Sequence, residues 1–346
     1  MFDTRVFDPQ SAPRAEWDAL HHFRRQRLDE DTPGEPIYPD ADFEADVRRA
    51  WPMWENRRLM AWRGTTILGN AGHSFRRPGS PGYEDHATYL NLWGGVLTPF
   101  RRHGIATALL RATLPFIDAM GKTTISLGTF LPSGHAFATA LGFEEKHRSI
   151  ENRLDLATLD WDMIAAWHAT PLPPSLDWER HAPRAPLDRL EPLYPQLTEL
   201  LRAAPIGALD TPPPRYEISA TRTWYEEMDR HGGSHHLLLL MHGSTVAGIC
   251  EASHDARFPD RVFQALTAVA PAWQGKGLAK TLKAAMLTTI RTARPEARWI
   301  ITSNANSNAP MLSINQRLGF RLHRQDSTWQ TTRAALGQAL DTRACP

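Results

Sequence analysis

The chain has only two cysteines in 346 residues, Cys250 and Cys345, too few for a disulfide framework. No window approaches the roughly eighteen uninterrupted apolar residues that a membrane-spanning helix needs, so no membrane partner is expected. The first residues, Met1-Phe-Asp-Thr-Arg-Val-Phe-Asp, place no apolar segment behind a basic one. A secretory signal is therefore not expected, and the cytoplasm is the expected location. Charge of one sign is also missing: 39 basic and 38 acidic side chains leave a net charge of +1. Arginine doublets at 24–25, 48–49, 57–58 and 76–77 are scattered, which argues against a nucleic-acid stripe. His235 and His236 are adjacent in an expected strand and so point to opposite faces. With no other ligand set in the sequence, no metal is expected.

What the chain does have is a strand–glycine turn–helix pattern in Val269–Ala279 (V-A-P-A-W-Q-G-K-G-L-A), followed by a second apolar strand, an Asn-rich loop and a helix through Phe320. A turn that feeds a helix N-terminus gathers backbone N–H groups at the positive end of the helix dipole. That is an anion site. The spacing Gln274-x-x-Gly277-x-Ala279 fits neither the dinucleotide fingerprint nor the P-loop. The ordinary alternative is a glycine turn between a core strand and a core helix.

The pattern occurs earlier in a weaker copy. Tyr89–Val96 is an expected strand that leads through Arg101-Arg102-His103-Gly104-Ile105-Ala106 into an apolar helix. Gly104 and Gly277 lie 173 residues apart, and the Gly-Phe pairs at 142 and 319 lie 177 apart. A spacing held so closely over half the chain indicates duplication, with an expected division into 1–170 and 171–346. Pro171-Leu-Pro-Pro174 serves as a stiff linker. In each half the residues suggest a helix, a second helix, a hairpin, the strand before the loop, and the helix after it. The expected helices include Leu187–Ala203 and Thr221–Arg230, the latter capped by Thr221. Ser149–Leu156 is expected to close the first half.

The loop at 274–279 resembles the Q/R-x-x-G-x-G/A pyrophosphate loop of the GNAT acetyltransferases. The segment T-x-N-A-x-x-N-x-x-M-x-x-I-N-x-x-L-G-F (Thr302–Phe320) is similar to the strand 5 and helix 4 region of one branch of that superfamily. The Ala204-Pro-Ile-Gly207 stretch and the T-x-R-x-W helix add to the likeness, which covers most of 187–330. It implies an α/β fold with a mixed sheet flanked by helices, in two tandem acyl-CoA N-acyltransferase domains of mycothiol-synthase-like architecture. Acetyl-CoA is the implied co-substrate. Its pyrophosphate would sit on Gln274, Gly275, Lys276, Gly277, Leu278 and Ala279, and its pantetheine arm would pair with the backbone of Thr267, Ala268 and Val269. Asn308 takes the position of a cofactor contact, while Asn304 is either a contact or a turn former. In the first half bulky Arg102 and His103 stand where the second has Gly275 and Lys276, but Arg101, Gly104 and Ala106, with Val96 and Ile105 beside them, keep enough of the pattern for a second or degenerate cofactor site.

The implied reaction is direct attack of a primary amine on the thioester in a ternary complex, with catalysis in the C-terminal half. Glu251 is the candidate base, with a solvent-facing strand residue as its ordinary alternative. His254 and Asp255 are weaker candidates. Family members often carry a tyrosine acid four residues before the final Gly-Phe; here Asn315 stands there, and Ala138 in the first half. Asn does not donate a proton usefully, so the leaving thiolate must be served otherwise. Three functions stay open: acetylation of a small amine, acyl-CoA binding or sensing without catalysis, and acetylation of protein or peptide amines. A monomer or a homodimer would satisfy the pattern.

Overall fold

The computed structural model describes residues 1–205 and 207–342. Cys345 and the isoleucine of the Ala204–Gly207 stretch, Ile206, lie outside the described residues. In chain order the elements are β1 (Asp3–Val6), α1 (Arg14–Asp31), α2 (Asp40–Arg48), β2 (Trp54–Arg63), β3 (Thr66–Arg76), β4 (Tyr89–Val96), α3 (Ile105–Ala119), β5 (Thr124–Thr129), α4 (Pro132–Ala140) and β6 (Glu144–Asp155). Then follow α5 (Trp161–His168), β7 (Asp177–His181), α6 (Leu187–Leu190), α7 (Tyr194–Arg202), α8 (Ile218–Arg230), β8 (Ser234–His242) and β9 (Thr245–His254). The chain continues through β10 (Arg261–Val269), α9 (Leu278–Ala293), β11 (Trp299–Ala305), α10 (Ala309–Leu318), β12 (Arg321–Thr332) and α11 (Arg333–Asp341).

These elements form two compact units. The first holds Met1–His147, Ala208–Pro212 and the C-terminal segment from Ser327; the second holds Arg148–Gly207 and Pro213–Asp326. In the first unit the strands run β1-β2-β3-β4-β5-β12, antiparallel except for the parallel β4–β5 pair. In the second they run β6-β11-β10-β9-β8-β7, again antiparallel except for β10–β11. The two orders are the same plan, strand for strand. Each unit takes its last strand from the other half of the chain: Ser327–Thr332 pairs with β5, and Ser149–Asp155 pairs with β11. The segment expected to close the first half therefore completes the second unit instead. Strand pairing is satisfied equally by either copy of a duplicated strand, so local pattern does not decide the partner.

Burial follows the plan. In the second unit α9 turns Leu278, Leu282, Met286 and Ile290 onto one face of the sheet, where they meet Cys250, Val262, Ile300 and Leu154. On the other face Tyr194, Leu197 and Leu200 pack with Leu237, Leu239 and Ile249. The first unit buries Leu90, Leu110, Ile117 and Ile125 together with Leu336 and Leu340 of α11. Burying a side chain of this kind is worth about 1.5–3 kcal/mol.

Two local expectations change, and one strand had not been expected. The helix expected over Leu187–Ala203 is broken into α6, a 3₁₀ turn at Glu191–Leu193 and α7, because Pro192 and Pro195 have no N–H for the ladder. The helix expected from Thr221 starts at Ile218, with Glu217 at the N-cap. Ile218 packs into the core beside Tyr216, which draws the helix start toward the chain N-terminus. Thr221 sits in the first turn; it donates to the Glu217 carbonyl (3.2 Å) and accepts from the Tyr194 hydroxyl (2.7 Å). Finally β7, a short edge strand on β8, has no clear alternation in sequence.

Candidate acyl-CoA site of the second unit

The site begins where two parallel strands part. β10 and β11 pair only from Arg261↔Trp299 to Phe263↔Ile301. Beyond this point β10 stays on β9 through a bulge between Gln264 and Thr267, so Thr267, Ala268 and Val269 border the opening. An extra residue in one strand bends it and adds twist, which separates β10 from β11 here.

The chain then makes a 3₁₀ turn at Pro271–Trp273 and enters α9. Gly275 (φ 76°) and Gly277 (φ 78°) both take the left-handed conformation. Side chains other than glycine pay roughly 1–2 kcal/mol for it. The Gln274 amide turns back to donate to the Val269 carbonyl (3.0 Å) and so ties the loop to the end of β10. No side chain caps α9, and no acidic residue lies in its first turn. Helix N-termini usually attract acids, so this end is left for an anion from outside. Lys276 is exposed at the loop tip, and Leu278 is buried beneath it while Ala279 is half-buried.

The first unit repeats this geometry. Its 3₁₀ turn is Thr98–Phe100, Gly104 has φ 73°, and α3 again has no acid in its first turn. Arg101 donates to the Val96 carbonyl (2.9 Å), as Gln274 does to Val269. Arg102 is the one described non-glycine residue at positive φ (68°), and it stands where the second loop has Gly275. The backbone shape was thus retained although the residue type was not. Arg102 and His103 are exposed, Ile105 is buried and Ala106 half-buried. Arg101 also reaches Asp31 (3.2 Å).

Glu251 lies on β9 opposite the bulge, on the face covered by α7 and α8. The carboxylate is 12% exposed, not a solvent-facing strand residue. It accepts from the Tyr216 hydroxyl (2.7 Å) and lies 3.6 Å from His235 Nε2. Burial first, and the Glu251 charge second, push the Tyr216 phenol well above its usual range, so it remains a donor. Aromatic rings enclose this group. Tyr216 stacks on Tyr194 (5.6 Å between centroids), the Tyr225 hydroxyl meets His235 Nδ1 (2.9 Å), and Trp224 lies edge-on to His235 (4.8 Å). Trp224 is 39% exposed and so borders solvent rather than filling core. Sequence alone offered no sign that Tyr216 and His235 meet Glu251, because they come from a loop and another strand. In the first unit the ladder places Gly72 at this position, since Gly69↔Val96 there matches Gly248↔Val269 here. A Cβ on Gly72 would collide with the Trp93 indole. The first unit has no carboxylate to match Glu251.

The remaining candidates are placed as follows. Asn308 caps α10, its side chain accepting from the Met311 N–H (3.4 Å). Asn315 is buried and donates to the Asn304 carboxamide oxygen (2.8 Å), so both asparagines belong to one contact between β11 and α10. Ala138, at the equivalent turn of the first unit, is fully buried. His254 is buried on the α9 side, and Asp255 is engaged by Arg257 (2.6 Å). Neither faces Glu251.

Residues 213–330 match the family model "Acetyltransferase (GNAT) domain". No curated protein matches the chain. Among solved structures, a tandem GNAT protein from the clavulanic acid biosynthesis pathway superposes with a TM-score of 0.71 at 19% identity, over 96% of this chain and 99% of that one. A GCN5-related N-acetyltransferase from Sphaerobacter thermophilus gives 0.64 at 16% identity, over 96% of each chain. At these identities the neighbours speak for the fold. Residues 213–330 are thus similar to the GNAT acetyltransferase domain, and the chain as a whole has the tandem GNAT fold.

Proposed function

We propose that the protein is an N-acetyltransferase that moves acetyl from acetyl-CoA to a primary amine of a small molecule, with the chemistry in the C-terminal half. The halves by descent are 1–170 and 171–346, although each unit takes a strand from the other half. One observation carries this reading: a doubly left-handed glycine loop at an acid-free helix N-terminus, continuous with a parted strand end that Glu251 borders. The pyrophosphate would take the loop amides of Gln274 to Ala279, with Lys276 in reach. The pantetheine arm would add to the free edge of Thr267–Val269 in the manner of an extra strand. Asn308, at the start of α10, is the further candidate for a cofactor contact.

In this mechanism the acceptor amine enters from the side of α7 and α8. The amine attacks the thioester carbonyl as the neutral base through its lone pair, and Glu251 takes the one proton that the nitrogen loses as the N–C bond forms. As the carbon–sulfur bond breaks, the electron pair leaves on the CoA sulfur. Tyr216 holds one carboxylate oxygen, and the other, 3.6 Å from His235 Nε2, would receive the amine proton. No metal enters this account.

One observation supports a second reading. Asn315, in the place of the family's acid, is spent on Asn304. A protein that binds acyl-CoA without turnover would tolerate that. The test is acetyl-CoA titration by calorimetry on wild type, Gly277→Glu and Gly104→Glu, followed by an amine panel. Loss of binding with Gly277→Glu alone locates one working site in the C-terminal half. Loss with Gly104→Glu alone reverses the assignment of halves. Binding without turnover on any amine favours the second reading, and no binding by wild type ends both.

A further inference from the structure

Beneath the parted end of β10 lies a buried polar chain that the mechanism above does not use. Lys283 of α9 donates through Nζ to Gln264 Oε1 (2.6 Å); Gln264 Nε2 donates to Cys250 Sγ (3.5 Å); Cys250 Sγ meets Thr267 Oγ1 (3.3 Å). Lys283, Gln264 and Cys250 are all at most 3% exposed, and Thr267 is half-buried on the segment that borders the opening. The chemistry of each member fixes the direction of the whole. An ammonium only donates, so the Gln264 oxygen must face it and the amide N–H₂ must face Cys250. The sulfur then accepts from Gln264, and its single S–H is left to donate to Thr267. That leaves the Thr267 O–H as the outward end. Every link points its donor toward the opening, with a positive charge at the root.

The fold does not require this chain, because the first unit does without it. The 173-residue offset places Leu110 at the position of Lys283 and Gly94 at that of Thr267. The strand ladders place Ala71 at Cys250 and Leu92 at Gln264. The same architecture is thus packed with apolar or small residues in one unit and with a buried cation in the other. Removing an ammonium from water is costly even after relaxation. Burial pulls the Lys283 pKa down to about 8. A chain that costs stability, sits in one copy only and ends at the strand expected to hold the thioester points to the leaving group.

We propose that Thr267, polarised by the Lys283–Gln264–Cys250 chain, donates a hydrogen bond to the departing CoA thiolate and so fills the role left open by Asn315. Thr267 is the catalytic residue; Lys283, Gln264 and Cys250 position it. The inference rests on the acyl-CoA reading above. The balance is simple: the N–C bond forms, the C–S bond breaks, the electron pair stays on sulfur as thiolate, and the amine proton goes to Glu251. No proton has to travel through the amide of Gln264, which only sets direction.

The experiment needs no acceptor. Free CoA is bound to the protein and the ultraviolet thiolate absorbance of its thiol is followed against pH, with the desulfo-CoA complex subtracted to remove the protein's own cysteines. Read below pH 8, where Lys283 keeps its charge, wild type should hold roughly ten times the thiolate of Lys283→Met or Thr267→Val. Thr267→Ser, which keeps the hydroxyl, should titrate like wild type. Because Lys283→Met leaves Gln264 Oε1 without its donor, the double variant Lys283→Met/Gln264→Leu provides a fully apolar version. Identical titration in wild type and all variants, with CoA affinity retained, overturns the inference while leaving the acyl-CoA reading intact. Failure of wild type to bind CoA overturns that reading and this inference with it.

Discussion

Glu251 shows how a residue's meaning changes once its neighbours are known. In sequence it is one acid on an alternating strand. In the structure its carboxylate is nearly buried under Tyr216 and beside His235. If it is the base, Glu251→Gln should lower turnover about 10²- to 10⁴-fold while acetyl-CoA affinity stays unchanged. Steady-state kinetics beside calorimetry checks this, and a parallel loss of cofactor binding would assign Glu251 a structural role instead. Arg102 is the opposite case, a residue that sits against its backbone preference. It holds φ 68° where the second loop has glycine. Arg102→Gly relieves roughly 1–2 kcal/mol of left-handed strain and gives part of that back in unfolded-chain entropy. Thermal unfolding should show the variant equal to wild type or slightly more stable, and a clear loss would mean the arginine holds contacts that outweigh its strain.

At the scale of elements, the glycine loops and both hairpins were legible because their signals are local. Gly243 in the β8–β9 turn and Gly277 at the start of α9 are read directly from chain order. The partner of a closing strand was not legible. Leu336 and Leu340 lie at the far end of the sequence yet are fully buried in the first unit, against Ile117 and Ile125. Leu336→Ala should therefore cost about 2–5 kcal/mol, and hydrogen exchange should rise in β4 and β5 while β8 to β10 stay protected. The reverse pattern would contradict the strand exchange. The aromatic group around Glu251 escaped sequence reasoning for the same reason. Its members come from α7, the segment before α8, α8 itself, β8 and β9, and no spacing rule joins them.

For the whole molecule, pH is the informative variable. His73 in the first unit and His236 in the second are buried and neutral, with pKa values drawn down to about 4, by burial first and by Arg57 and Arg294 second. An unfolded histidine titrates near 6.5. The stability these residues contribute is complete above the unfolded pKa and is lost as pH falls from about 6.5 toward 4, where the unfolded state binds protons that the folded state refuses. Each accounts for at most about 3 kcal/mol, so both units should weaken over the same window. Denaturant midpoints between pH 7 and pH 4 test this. His73→Phe should flatten the dependence of the first unit without changing that of the second.

The sequence by itself determined the repeated plan, the two glycine turns at helix N-termini, the α/β character and the family resemblance. Each of these is written in short-range pattern: a glycine where φ must be positive, an apolar strand before it, a helix after it. Tertiary structure decided which strand closes which unit, which side chains surround Glu251, and that Lys283, Gln264, Cys250 and Thr267 form one chain. The physical reason is the same in all three. Backbone conformation is fixed within a few residues, whereas burial and hydrogen-bond partners are fixed by groups that meet only after the sheet has formed.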